Sequence, residues 1–285
     1  MAGSGVLYVV ATPIGNMGDI SARAREILAG VGAVAAEDTR HSGRLLRELG
    51  LERPLISLHE HNERARLGEL IARLRGGESI ALVSDAGTPL VSDPGYLLVA
   101  AAIEAGIIVS PVPGANAAIA ALSASGLPCE RFSFEGFLPA RAAARRRRLV
   151  ELAAESRTLV LYEAPHRLVE CLDDLVAACG ENRRACIARE ITKRFETFYR
   201  GSLGELAARS KSDADLVRGE AVILVEGMPD AEPTAAQLDE TLAVLLRHLP
   251  PSAAAAAAAS LTGVRRNDAY ARALALGKEA PADAT

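Results

Sequence analysis

From residue 6 onward, short and continuous apolar runs alternate with amphipathic segments. Residues 6–11 read as a strand, 20–29 as a helix, 31–36 as a short strand, 41–49 as a helix and 55–58 as a strand. Over residues 64–75, Leu67, Leu70, Ile71 and Leu74 recur at i, i+3, i+4 and i+7, which places one helical face against a core. Residues 80–84 and 107–112 are apolar without alternation, so both faces of each strand must be covered. Helices follow them from about Tyr96 and Ala115. Such strands alternating with helices predict a mainly parallel sheet flanked on both sides.

The pattern changes after residue 115. Residues 132–135, 158–162, 184–188, 196–199 and 221–225 read as strands separated by two helices and a short helical stretch, which predicts a second α/β domain with a mixed sheet. Residues 228–233, with prolines at 229 and 233, read as a linker. Beyond it, residues 235–249, 252–261 and 267–276 read as helices, with Thr262-Gly263 forming a turn between the last two. Helix, Gly-containing turn, helix is a helix-turn-helix outline. The alternative is a small alanine-rich cap, because a run such as 253–259 favours helix by propensity alone. The expected organisation is an α/β domain over 1–115, a second over 116–228 and a helical domain over 234–285.

Composition narrows the function. The chain has 285 residues, 49% of them hydrophobic, enough to bury sizeable cores. No run of 18 uncharged apolar residues occurs, and the N-terminus runs into a strand without a basic signal region, so a cytoplasmic protein is expected. Four cysteines (Cys129, Cys171, Cys179 and Cys186) lack metal-ligand spacing and read as small buried apolar residues; no metal site is expected. A net charge of −4 argues against a protein that coats nucleic acid. One stretch departs from that average: Arg141, Arg145, Arg146, Arg147 and Arg148 lie within residues 136–150, where there is no acid.

Three strand-to-loop transitions carry candidate chemistry. Ala11-Thr12-Pro13-Ile14-Gly15-Asn16 follows the first strand and can turn backbone amides toward a ligand at the carboxyl edge of the sheet. It is not G-x-G-x-x-G and no P-loop lysine follows, so neither a dinucleotide nor an ATP phosphate site is supported. Residues 84–95 hold two Asp, two Gly, two Pro and three hydroxyls, more than a connection of ~2–6 residues needs. Asp85, at the end of the strand, points a carboxylate into the crevice where open sheets bind ligands. Asp93 or Ser92 reads as the cap of the next helix, with Pro94 at its first position. Pro111-Val112-Pro113-Gly114-Ala115-Asn116-Ala117 allows close backbone approach, and it reads equally as a plain helix start.

Together with Glu37-Asp38-Thr39-Arg40, Tyr162-Glu163-Ala164-Pro165-His166-Arg167 and Arg189-Glu190-Ile191-Thr192-Lys193, these loops resemble the tetrapyrrole-methylase family of S-adenosylmethionine methyltransferases. The resemblance runs from Val6 to Gly227. It implies two α/β domains with the cofactor S-adenosyl-L-methionine in the cleft between them, and a homodimer. It further implies that Pro13, Gly15, Asp85, Gly87, Thr88, Asn116 and Ala117 approach the cofactor from the first domain, and Glu163, Glu220 and Ala221 from the second. Tetrapyrrole-modifying members carry a glycine-rich first loop and a Gly-Asp-Pro step in the second, both absent here. That departure favours RNA as acceptor, and the likeness is greatest to the ribosomal-RNA branch. The expected activity is 2′-O-ribose methylation of a cytidine in 16S rRNA of the small subunit. A corrinoid-precursor methyltransferase and a non-catalytic RNA-binding protein are the alternatives.

A ribose hydroxyl is a poor nucleophile, so a proton acceptor is sought. Glu37, Asp38, Glu190 and Lys193 are the leading catalytic candidates, with His59 and His61 behind them. Glu37-Asp38-Thr39 could instead cap the next helix, and Glu190 with Lys193 could be a solvated i,i+3 pair. For holding RNA, Arg141 and Arg145 to Arg148 would grip phosphates. Arg40, Arg44, Arg47 and Arg167 would extend that grip across the cleft, and Arg265-Arg266 would add a remote one. With 4% aromatic residues and no tryptophan, a stacking platform for free single strands is not expected.

Overall fold

The computed structural model describes residues 4–228 and 235–279. Its first sheet is built from β1 (Val6–Val10), β2 (Ala33–Ala36), β3 (Leu55–Ser57), β4 (Ile80–Val83) and β5 (Ile108–Val112), in the order β3-β2-β4-β1-β5. Every pairing is parallel. The helices between these strands are α1 (Ala22–Gly30), α2 (Thr39–Glu48), α3 (Glu63–Arg75) and α4 (Tyr96–Glu104), and α5 (Ala117–Ser125) follows β5. Along β2 the side chains alternate between two cores: Ala33 and Ala35 join Leu7, Leu70 and Leu82, while Val34 and Ala36 join Val10, Leu28 and Val83. This double coverage is why the strands read as unbroken apolar runs.

Helix starts follow local chemistry. Ser21 caps α1 by accepting from Ala24 N. Asp38, not Thr39, caps α2, accepting from Arg40 N at 2.8 Å. The expected cap of α4 by Ser92 or Asp93 is not formed. Gly95 occupies that position at φ 123°, with no side-chain cap, and this frees Asp93 for other contacts.

The second sheet comprises β6 (Phe132–Phe137), β7 (Thr158–Glu163), β8 (Arg184–Arg189), β9 (Thr197–Ser202) and β10 (Ala221–Val225), in the order β6-β7-β10-β8-β9. Only β6 and β7 run parallel, so the sheet is mixed as expected. Helices α6 (Ala142–Leu152), α7 (Leu168–Cys179) and α8 (Leu203–Ser210) cover one face. The other face packs on α5 and receives Ile14 from the loop after β1, so the first half of the chain reaches into the second core. Residues 1–227 form one compact unit. Cys171 and Cys186 are buried as expected, but Cys129 is exposed.

Residues 228–285 form a second unit, with helices α9 (Ala235–Leu245), α10 (Pro251–Thr262) and α11 (Arg266–Glu279). Gly263, in the left-handed region at φ 76°, ends α10 and allows the turn into α11. The linker expected at 228–233 falls, beyond Met228, outside the described residues. Among the described residues, no helix is long and apolar enough to cross a membrane.

Candidate active site

The loops after β1 and β4 lie side by side because their strands pair directly. A two-way bridge locks them: Thr12 N donates to Gly87 O (2.8 Å) and Gly87 N to Thr12 O (3.1 Å). Gly87 sits at φ 79°, and a Cβ there would come within 3.2 Å of the Ile14 side chain, so both conformation and contact favour glycine. In the second sheet, register does the equivalent work. Ala221 at the start of β10 pairs with Glu163 at the end of β7 and with Arg189 at the end of β8. Antiparallel pairing thus brings residues 163, 189–190 and 220–221 to one edge.

The two edges enclose a cavity of about 400 Å³. Asp85, Gly87, Thr88, Asp93, Asn116 and Ala117 line it from one side, and Tyr162, Glu163, Glu220 and Ala221 from the other. Its size suits a small-molecule ligand, and Ile14, Phe137, Tyr162 and Val222 give it apolar walls. Of the ten residues expected at the cofactor, eight line this space; Pro13 and Gly15 instead line the adjoining cavity described below.

The charge inside is negative. Asp85 Oδ1 accepts from Asp38 N at 3.1 Å. Burial and the neighbouring Asp85 raise the Asp93 carboxyl above its ordinary range. Burial, reinforced by Asp93, Asp85 and Asp38, raises that of Glu37. Glu163 has a fully buried side chain. Its Oε1 accepts from Ala164 N (2.8 Å), while its Oε2 has no hydrogen-bond partner among the described residues. Arg167 Nε lies 3.3 Å from Glu163 Oε1, close enough for ion-pair attraction but without hydrogen-bond geometry. A buried carboxylate oxygen left without a donor is costly, and with no accessible side-chain surface Glu163 backs the cavity wall instead of opening on it.

A second cavity of about 300 Å³ adjoins the first, sharing Ile14, Asp85, Ala86 and Glu220. Its other walls include Thr12, Pro13, Gly15, Met17, Lys193 and one face of α2. Lys193 Nζ is held by Glu190 Oε1 (3.0 Å) and Glu220 Oε2 (3.1 Å). Glu190 Oε1 also accepts from Glu220 N at 2.9 Å. Glu190 and Thr192 both have positive φ, 51° and 66°. A β-branched residue in that region is strained, and Thr192 Oγ1 accepting from Asn16 N (3.1 Å) shows what holds it there. The loop clasps the β1 loop.

This geometry sorts the four catalytic candidates. Asp38 is engaged twice, as helix cap and as partner of the Arg40 guanidinium (2.7 Å), and these bonds hold its carboxyl well below the usual range. It is a poor proton acceptor at neutral pH. Burial alone would raise Glu190, but the Glu220 amide and Lys193 outweigh it and lower its pKa. For Lys193 the two carboxylates outweigh burial and raise the pKa, which keeps the ammonium charged. Glu190 and Lys193 are not a merely solvated pair: they are tied to each other and to Glu220 beside the second cavity. Of the three carboxylates among the four, Glu37 alone has a raised proton affinity.

The arginines separate as well. Arg145 is 2% exposed, donating to Asp174 Oδ2 at 2.7 Å with Glu170 3.4 Å away. It joins α6 to α7 and cannot reach a phosphate, which overturns the expectation for that residue. Arg146 also binds Asp174 but is 68% exposed, and Arg148 pairs with Glu135 and Glu151. The segment without acids in sequence meets acids from its flanks and from α7. Arg167 donates to the carbonyls of Leu138 and Pro139, which makes it a strut behind the cavity. Arg141 and Arg147 are exposed, and Arg40 is exposed although paired with Asp38. His59 and His61 contact each other edge to face and line neither cavity.

Asp93, Tyr162, His41 and Glu48 were not expected at the site. Asp93 was hidden by its resemblance to a capping residue. His41 and Glu48 share a visible signal, spacing with Arg44 and Leu45 at i, i+3, i+4 and i+7.

The profile of the family described as Tetrapyrrole (Corrin/Porphyrin) Methylases matches residues 6–207, and the chain belongs to that family. A second profile, for the RsmI C-terminal HTH domain, matches residues 232–277. Among curated proteins, the chain is 55% identical to Ribosomal RNA small subunit methyltransferase I of Xylella fastidiosa (strain Temecula1), covering 95% of this chain and 99% of that one. It is also 55% identical to the protein of the same name from Pseudomonas aeruginosa, over 95% and 97% of the two chains. A solved structure of the methyltransferase CobJ shares the fold, with a TM-score of 0.59 at 20% identity over 79% of this chain and 95% of that one.

Proposed function

We propose that the protein transfers a methyl group from S-adenosyl-L-methionine to the 2′-oxygen of a cytidine ribose in 16S rRNA of the small ribosomal subunit. The observation that carries this reading is the pair of adjoining cavities meeting at Asp85, one apolar and acid-lined, the other open to a polar face of α2 that includes Arg44. Relatives spanning nearly the whole chain bear the name of a small-subunit rRNA methyltransferase, which supports RNA as the acceptor.

The first cavity fits the cofactor. Asp85 and Asp93 favour a cation, and the apolar walls suit a nucleobase. When bound, S-adenosylmethionine supplies an electrophilic sulfonium methyl whose S–C bond breaks as the O–C bond forms. The residues of the chain do the rest by placement. Asp85 lines both cavities and so marks the point where donor and acceptor meet. The proton of the attacking hydroxyl passes to the carboxylates there, where Asp93 lines the first cavity with a raised proton affinity and Glu37, which lines neither cavity, is coupled to it electrostatically. Lys193, tied by two acids, closes the far wall.

The reading includes a homodimer in the cytoplasm. Tyr96, Ile103 and Ile108 support the dimer, since they leave α4 and the edge strand β5 with exposed apolar side chains. The deciding experiment incubates the protein and cofactor with small subunits from a strain lacking the gene. New 2′-O-methylcytidine on nucleoside analysis is the expected product, and its absence would sink the proposal.

A further inference from the structure

One wall of the second cavity is a face of α2. His41, Arg44, Leu45 and Glu48 project from a single face of α2 into it, spaced at i, i+3, i+4 and i+7. The opposite face of the helix, with Ser42, Gly43 and Leu46, is buried. A helix seated by one face on its sheet therefore presents the other to an empty groove, and that face is polar.

The charges around the groove are mostly spent. Asp38 is paired with Arg40, and both Glu190 and Glu220 with Lys193. Asp85 accepts from Asp38 N and also lines the first cavity. Among the described residues, Arg44 has no acid within ion-pair distance and the His41 imidazole no hydrogen-bond partner. Glu48 lies one turn beyond Arg44, toward the other end of the wall. An uncompensated guanidinium facing a groove that opens on the reacting position is suited to a phosphodiester.

We infer that this face of α2 holds the acceptor nucleotide, with Arg44 binding its phosphodiester, His41 beside it, and Glu48 repelling the phosphate from the far end. The inference rests on the RNA reading above and specifies where on the protein the strand lies. Arg44 is a binding residue and takes no part in the transfer itself.

The test compares wild type with Arg44→Ala, Arg44→Lys and Glu48→Gln, using small ribosomal subunits as substrate across a series of salt concentrations. Arg44→Ala is expected to raise KM for the subunit about tenfold, with kcat within about twofold and cofactor affinity unchanged, as loss of one phosphate contact predicts. The slope of log affinity against log salt should become shallower by about 0.7–0.9. Arg44→Lys should restore most of the loss by keeping a charge, and Glu48→Gln should lower KM slightly. An unchanged KM and salt slope in Arg44→Ala would overturn the inference. So would weakened cofactor binding in that variant, because the groove would then belong to the cofactor. Equilibrium binding of the same variants to subunits reads the salt slope without turnover. If wild type binds subunits but forms no 2′-O-methylcytidine, the activity fails while the α2 assignment is still decided by the slope.

Discussion

The two sheets reach the same cavity by different routes. In the parallel sheet all strands end at one edge, so its loops converge wherever neighbouring strands stop, and the chemistry sits in the long connections after β1, β4 and β5. In the mixed sheet only some strands end at the cavity, and β10 begins there. Its contribution comes from residues at strand termini, Glu163, Glu220 and Ala221, held by ladder register. The difference teaches that the first sheet supplies adaptable ligand-facing loops, and the second a rigid back wall braced by internal ion pairs.

Four substitutions test that division. Arg145→Ala removes a buried brace of the back wall and should lower stability by about 3 kcal/mol, the low end for breaking a buried pair because Arg146 still reaches Asp174. Denaturant unfolding reads it, and Arg147→Ala should leave stability unchanged while raising KM for RNA. Asp85→Ala should weaken cofactor binding about 100-fold by calorimetry, as expected for a charge at the centre of the loop side. Glu163→Gln should cost less, about tenfold, because the buried side chain acts on the cofactor only through the cavity wall that it supports. Should Glu163→Gln cost more than Asp85→Ala, the roles assigned to the two sheets are reversed.

The smallest effect concerns Asp93. Its folded pKa is raised, so the native state binds its proton more tightly than the unfolded chain, and ionisation destabilises the fold above that folded pKa. Asp93→Asn should therefore raise the melting temperature of the ligand-free protein at neutral pH. The gain should shrink as pH falls through the raised pKa, where the wild-type carboxyl also becomes neutral. A gain that persists unchanged in acid would point to packing instead of charge.

Much of this arrangement is legible in the residues, for identifiable reasons. Period and apolar runs reveal the strands, and the long polar connection at 84–95 exceeds what a turn needs, so Asp85, Gly87 and Thr88 stand out. What stays hidden depends on distant partners. Arg145 looks like its neighbours until Asp174, 29 residues away on α7, comes beside it. Asp38 looks like a base until Arg40 and the helix start claim it. Asp93 lies in a Ser-Asp-Pro-Gly run that reads as a helix start, and only the φ of Gly95 reveals where the helix begins. Glu190 and Lys193 look solvated because the strand that brings Glu220 to them lies 30 residues further on.

The helical unit at the C-terminal end has a different kind of interior. Among the described residues, its buried core holds Leu238 and Leu242 as the large side chains, and the rest are Ala254, Ala255, Ala258, Ala269 and Ala273. Methyl groups let helices approach closely, but each removes little surface from water, so the core gains little free energy per residue ordered. The consequence is kinetic as much as thermodynamic. Its backbone amides should exchange with deuterium through frequent local openings, long before those of β4 or β10 exchange at all.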